Sequence, residues 1–577
     1  MYMNKPDNLN RINGKLWARL WAIAKPYWVS EEKKGAIALL VVLVVLRITI
    51  SRLDVFKIEL YSDYMNALSE RDSATFYRLL FTYGAVLIFI APILVSRRFV
   101  RDKLGLFWRR WLTNHFLDKY FRDRAYYEIN QNGQIDNPDQ RISDEVKAFT
   151  RTSLGFLLIF IGEFVELISF IDVLWRISIN LVIVALGYAG VGTAIAVVVG
   201  RKLIPLNFKQ LKLEADFRYG LIHVRDNAES IAFYRGEEQE SAQVKRKFDK
   251  VFNNFTKLIN WQRNLEFFTT GYNYVDNIIP VLIMSYPYFA GDIKLGVILK
   301  AVIAFRHVLS AFSVIVNQFD DLSAFAAGVN RLETFEEALV APDEARRNGA
   351  NIDTTEASQF ALEHITLSTP NREKTLVQNV SATVEPGEGL LIMGQSGCGK
   401  SSLLRAIAGL WNSGTGRVLR PKLEETLFLP QRPYMILGTL RQQLLYPHTS
   451  REVEENKLHE VLVMVNLADL PERVGGFDAE LDWADILSLG EQQRLAFARL
   501  LLTAPKYAIL DESTSALDIK NEQRLYQHLQ EKGTTLISVG HRPSLLAFHH
   551  QVLELEGGGK WRLVPAEGYT SAAYGMG

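Results

Sequence analysis

Gly394-Gln395-Ser396-Gly397-Cys398-Gly399-Lys400-Ser401-Ser402 is a run whose residue types and spacing suit phosphate binding. It fits the pattern G-x-x-x-x-G-K-[S/T], in which glycines let backbone N–H groups curl around phosphate oxygens. Lys400 then reaches the β- and γ-phosphates of a nucleoside triphosphate, and the Ser401 hydroxyl binds magnesium. Leu390-Leu391-Ile392-Met393 before it reads as a buried strand, and LLRAIAGL after it as a helix. That setting places the anion at a helix N-terminus and argues against a chance match. Cys398 is the only cysteine. It reads as a tolerated small residue rather than a redox switch, and it excludes a disulfide within one chain.

A second apolar strand, Tyr507-Ala508-Ile509-Leu510, ends in Asp511-Glu512. Asp511 is placed to hold magnesium through its water shell, and Glu512 to orient or deprotonate an attacking water. An ordinary acidic pair on the surface is the bland alternative, weakened by the phosphate loop upstream. Between these motifs, Leu487-Ser488-Leu489-Gly490-Glu491 opens the helical run RLAFARLLL. Here the chain resembles the ABC-transporter ATPase family, whose signature is LSGGQ. The resemblance extends to Gln431 in LFLPQRPYM, to Asp518 in SALD and to His541 in SVGHR. It implies ATP and Mg2+ as cofactors, with Lys400, Glu512 and His541 catalytic and Ser401, Gln431 and Asp511 serving the metal. Ser488, Leu489, Gly490 and Glu491 would face the γ-phosphate held by a second subunit, and Asp518 would line the dimer interface. Two departures stand out. Leu489 replaces a signature glycine, and Thr369-Pro370 falls where the family places an aromatic residue against adenine.

These motifs occupy only the last part of the chain. Its 577 residues are too many for one core. Net charge is +1, which gives no reason to expect a nucleic-acid partner. Apolar runs crowd residues 35–320, whereas 351–577 has a soluble composition. The expected domains are 1–34, a cytoplasmic segment with an interfacial helix at Lys15–Trp28; 35–340, a transmembrane domain; and 341–577, the ATPase. The polar start, Met1 to Asn13, has no signal-peptide pattern.

A bilayer crossing needs about 20 mostly apolar helical residues. Leu79–Ser96 and Ile177–Gly200 meet this without a charge. Gly35–Phe56, Ser153–Ile171, Phe267–Gly291 and Leu295–Phe319 meet it with interruptions, for six spans in all. Lys/Arg-rich flanks place residues 97–152, 201–264 and both chain ends in the cytoplasm. The interrupting charges include Arg47, Glu163, Glu166, Asp276 and Arg306. Ionisable groups at this depth normally face the bundle interior or water. They define either a polar cavity for a hydrophilic solute or a set of interior ion pairs, and the sequence leaves both open.

Asn137-Pro138-Asp139-Gln140-Arg141-Ile142 and the segments Glu214–Tyr219 and Ala228–Tyr234 resemble motifs of the peroxisomal fatty-acyl (subfamily D) transporters and of the bacterial BacA/SbmA-related transporters. The implied fold is an all-α six-span bundle of exporter type followed by an α/β P-loop ABC ATPase domain. The implied function is ATP-driven alternating access, moving hydrophilic solutes such as peptides or cobalamin-like compounds inward. Alternatives are transport of long-chain fatty acids or acyl-CoA, or a nucleotide-gated regulator or channel. The implied partners are a second copy of the chain (a homodimer), the lipid bilayer and a small-molecule or peptide substrate. The implied location is the cell (inner) membrane, multi-pass, with the peroxisomal membrane as alternative.

Overall fold

The computed structural model describes residues 14–569, except 133, 134, 136, 201, 349–351, 370–372 and 412. Pro370 and the polar start of the chain therefore lie outside the described residues. The chain divides into two compact units between Glu344 and Ala345.

The first unit is helical. Its main elements are α1 (Gly14–Val29), α2 (Lys33–Ser69), α3 (Ser73–Phe121), α4 (Val146–Ile177), α5 (Ile179–Gly200), α6 (Leu203–Asp226), α7 (Glu237–Val275), α8 (Ile278–Phe289), α9 (Leu295–Asn317) and α10 (Phe319–Asn348). Among the described residues, five helices are long and apolar enough to cross a membrane. They carry five of the six expected spans. The remaining one, Phe267–Gly291, fifth in chain order, is shared between α7 and α8, and the reason is Pro280. It has no N–H to give the carbonyl of residue 276, and its ring crowds that same carbonyl. The hydrogen-bond ladder lapses at Asp276–Asn277 although both residues keep right-handed helical dihedrals.

Two apolar clusters hold this unit. One gathers Tyr27, Trp108, Phe149 and Phe335, with Tyr27 stacked on Trp108 at 5.6 Å. The other gathers Phe170, Ala185, Ala301 and Phe305. Large apolar side chains such as Phe81, Ile88 and Phe89 remain exposed on α3, as a helix face turned to lipid requires. On α1, Ile23 and Tyr27 are buried while Trp17 and Trp21 are exposed, which suits a helix lying at the headgroup level.

The second unit is α/β. Its main strands are β1 (Asp353–Glu356), β2 (Phe360–Ser368), β3 (Thr375–Val384), β4 (Leu390–Gly394), β5 (Gly414–Arg420), β6 (Thr426–Leu429), β7 (Tyr507–Asp511), β8 (Thr535–Val539), β9 (Gln551–Gly557) and β10 (Lys560–Pro565). A first sheet runs β1-β5-β2-β3, a second runs β10-β9-β4-β8-β7-β6, and the two-residue strands Gly438–Thr439 and Glu480–Leu481 pair as a short antiparallel ribbon. In the second sheet β9, β4, β8, β7 and β6 are parallel, and β10 closes the edge as an antiparallel hairpin. Strands β4 and β8 are almost wholly buried, as continuous apolar runs in a parallel sheet should be. Helices α11 (Lys400–Ile407), α12 (Leu489–Thr503) and α13 (Ile519–Glu531) follow the motifs at 394–402, 487–491 and 515–518.

His549 lies in this core, its Nδ1–H donating to the Leu545 carbonyl at 2.7 Å and its Nε2 accepting from the Ser538 hydroxyl at 2.9 Å. Burial pushes it down to about 4. In the unfolded chain it protonates near 6.5. Its contribution to stability is therefore complete above about pH 6.5 and is lost as pH falls toward 4, up to roughly 3 kcal/mol. Thermal unfolding of the α/β unit should lose midpoint across that window, and His549→Gln should flatten the slope.

Candidate functional site

The strand order brings the predicted residues to one edge. Strands β4, β8, β7 and β6 are parallel neighbours, so the loops after them emerge side by side at their carboxyl ends, where open α/β sheets bind ligands. The loop after β4 is built for close approach. Gly394 has φ of 144°, and a Cβ there would lie 2.3 Å from the Leu555 carbonyl oxygen. Gly397 and Gly399 also have positive φ. Lys400 is buried and turns back across the loop, its Nζ donating to the carbonyls of Gly394 at 2.8 Å and Gln395 at 3.0 Å. These bonds draw the ammonium to the loop that a phosphate would fill.

Ser401, at the start of α11, lies close enough to Asp511 for its hydroxyl to favour the ionised carboxylate. Burial, and next the neighbouring Glu512 charge, push the Asp511 carboxyl above its ordinary value, against Arg405, Lys400 and Ser401. A half-buried carboxylate short of positive charge, beside a hydroxyl, fits a divalent cation such as Mg2+.

Glu512 follows in a left-handed conformation, φ 44°, held by its N–H donating to the Val539 carbonyl at 3.0 Å. For a residue with a Cβ this costs roughly 1 kcal/mol, a strain typical of functional positions. Its Oε2 accepts from Gln431 Nε2 at 2.9 Å, and its Oε1 lies 3.2 Å from His541 Nε2. Three separate loops thus converge on one carboxylate.

Ser488 caps α12 in a capping box. The Glu491 N–H donates to its hydroxyl at 3.4 Å, and its own N–H donates to the Glu491 carboxylate at 2.9 Å. Leu489 is exposed there, beside Gly490. Asp518 caps α13 by accepting from the Asn521 N–H at 2.9 Å. Hydrogen bonds from Asn521 hold its carboxyl below the ordinary range.

Sequence reasoning missed the residues that tie these loops together. Gln493 is fully buried; its Nε2 donates to the Gln431 carbonyl at 3.3 Å and to Ser515 Oγ at 3.2 Å, and its Oε1 accepts from the Ala516 N–H at 3.0 Å. It therefore fastens the start of α12 to the loops bearing Gln431 and Asp518. Glu522, also fully buried, accepts from Thr514, Ser544 and Arg542. Arg542, next to His541, also donates to the carbonyls of Ser515 and Leu517. Buried Arg499 grips the carbonyls of Tyr434 and Gln443. A signal was present for three of them: Gln493 and Arg499 are polar residues within the apolar, largely buried helix α12, and Glu522 lies on the apolar stripe of amphipathic α13.

In the membrane unit the predicted charges fall into two groups. Arg47 on α2 pairs with Glu166 on α4 at 2.5 Å and donates to the Gly162 carbonyl at 3.1 Å. His307 on α9 lies 3.6 Å from Glu166 and stacks on Phe170 at 4.0 Å. A Cβ at Gly162 would lie 2.7 Å from Arg47 Nε, so the glycine makes room for the guanidinium. Glu163 keeps one carboxylate oxygen buried with no hydrogen-bond partner among the described residues. The second group sits at the break in the helix. Asp276 is buried, and Arg306 donates to Asn277.

Membrane-length helices followed by a nucleotide-binding α/β unit define one half of an ATP-driven membrane transporter. The chain belongs to the ABC transporter family. The family described as ABC transporter transmembrane region 2 matches residues 23–289, and the ABC transporter family matches 377–515. An uncharacterized ABC transporter ATP-binding protein of Synechocystis is 50% identical over 509 residues, covering 86% of this chain and 77% of that one. ABC transporter D family member 2, chloroplastic, of Arabidopsis thaliana is 41% identical, covering 96% and 87%. The lysosomal cobalamin transporter ABCD4 of Mus musculus is 32% identical, covering 95% of each. The chain is accordingly an ATP-binding ATPase coupled to transport across a membrane.

Gln493 provides a test of the linkage among the loops. Gln493→Ala should lower ATP turnover by roughly tenfold to a hundredfold through misplacement of Gln431 and Asp518. Equilibrium binding of nucleotide to the glycine loop should be retained. The check is ATPase rate against binding of a fluorescent nucleotide.

Proposed function

We propose that two copies of this chain form a homodimeric transporter that takes up a hydrophilic solute, of the peptide or cobalamin-like class, using ATP and Mg2+. The observation that carries this reading is the Glu512 carboxylate held between Gln431 and His541, with the glycine loop and Lys400 on the next-but-one strand. In this mechanism Lys400 and the loop amides bind the β- and γ-phosphates, and Ser401, Asp511 and Gln431 are the residues that would hold the metal. Bound Mg2+ offsets phosphate charge. Glu512 takes a proton from the water that attacks the γ-phosphorus as the bond to ADP, the leaving group, breaks, and His541 steadies the γ-phosphoryl group in transfer. The Ser488 end of the second copy's signature helix would close over the same γ-phosphate, with Asp518 at the dimer interface.

A polar solute is supported by the ionic group Arg47, Glu166 and His307 among the membrane helices, where only polar cargo gains from such neighbours. A relative named as a cobalamin transporter agrees with this class. The domains are then 1–34, 35–340 and 341–577. The membrane is the inner membrane of the cell, with the ATPase facing the cytoplasm.

Glu512→Gln should cut ATP hydrolysis by at least about a hundredfold while nucleotide binding persists. Solute flux at the wild-type rate in that variant would mean a passive conduit. In reconstituted vesicles, ATPase stimulation and uptake should respond to peptides or cobalamin. A response to acyl-CoA alone would establish the acyl-transport alternative instead.

A further inference from the structure

The start of α12 carries a charge that ought to obstruct its own task. The Glu491 carboxylate sits on the face that would meet a triphosphate, and the Ser488 hydroxyl donates to its Oε2 at 2.8 Å. A phosphate oxygen accepting from that hydroxyl would lie about 2.7 Å from it. It would then be at most about 5.5 Å from the carboxylate oxygen, a separation at which like charges in a closed interface repel strongly. Bonds from Arg473 and Ser488 outweigh the effect of burial and keep Glu491 below the ordinary carboxylate range, so it is charged at neutral pH.

A counter-charge is present. Arg473, in the short helix Leu470–Val474, places Nη2 2.6 Å from Glu491 Oε1, on the carboxylate oxygen that Ser488 does not use. The Glu491 side chain is largely buried, whereas Asp469, the other acid near Arg473, is 3.5 Å away and mostly exposed. The guanidinium is thus committed chiefly to Glu491.

We propose that Arg473 is a positioning residue for ATP hydrolysis: it neutralises Glu491 so that the Ser488 hydroxyl and the first amides of α12 can face a triphosphate. This rests on the two-copy composite site proposed above. Arg473 touches neither nucleotide nor the reacting atoms. It acts by lowering the charge beside the serine and by loosening the carboxylate's hold on the serine proton. An unmasked Glu491 weakens closure on ATP more than it slows the chemistry once closed.

The test uses the full-length chain in lipid nanodiscs, with KM for ATP and kcat measured separately. Arg473→Ala should raise KM about tenfold with kcat at saturation within about twofold, and added salt should narrow the difference. Arg473→Lys, which keeps the charge, should stay near wild type. Glu491→Gln keeps an oxygen for the Ser488 N–H, and the double variant Arg473→Ala/Glu491→Gln should return KM to near the wild-type value. An unchanged KM in Arg473→Ala, or no recovery in the double variant, overturns the inference, and recovery of thermal stability alone counts as overturning it. Ser488→Arg separates the two levels. If it abolishes turnover while Arg473→Ala is silent, only the role of Arg473 falls. If it hydrolyses ATP at the wild-type rate, the composite site falls and this role with it.

Discussion

One carboxylate sets the terms for the ATPase unit. Glu512 must stay aimed although its backbone occupies a strained region. What secures it is the sheet. Strand β8 supplies the carbonyl that fixes its N–H, β6 leads to Gln431, and His541 stands two residues past the end of β8. Hydrogen bonds to an ionised acceptor are about twice as strong as neutral ones, but only while donors and acceptor keep their geometry. Gln493 and Glu522 maintain that geometry at a distance, because each buried polar group must satisfy its own bonds and therefore fixes the loops that provide them.

The membrane unit answers the opposite solvent with the same logic. Its outward face is apolar, and Arg47, Glu166 and His307 turn to one another across helices. Arg47 needs both Glu166 and the bare backbone at Gly162, since a guanidinium left alone at that depth would be costly. The reciprocal pair Tyr188 and Tyr272, stacked at 4.2 Å with each hydroxyl donating to the other's carbonyl, joins α5 to α7 by the same rule. Gly192 leaves the space for the Tyr272 ring.

Much of this was legible in the sequence where the information is local. The glycine loop, the acidic pair after an apolar strand and the capped signature helix are all short-range patterns, and their backbone requirements are nearly independent of the rest of the fold. The fold class followed from two contrasting hydropathy regimes. What could not be read was pairing. Arg47 with Glu166, Arg473 with Glu491 and Gln493 with Ala516 join residues from 18 to 119 positions apart, and spacing along a chain does not encode which distant side chain arrives. The division of the fifth span was legible in principle, because Pro280 marks residue 276 by its missing donor. Hydropathy averaged over a window does not register a single absent N–H.

That division has a geometric consequence. The segment beyond the break, Ile278–Phe289, has 12 residues and so extends about 18 Å, against a hydrocarbon thickness of about 30 Å. It cannot traverse the bilayer unaided, so the final turns of α7 must complete the passage. The joint at Asp276–Asn277 is thereby sunk well below either headgroup layer. The acid at that level, Asp276, is buried, and the proline four residues on leaves its peptide carbonyl without the usual helical donor.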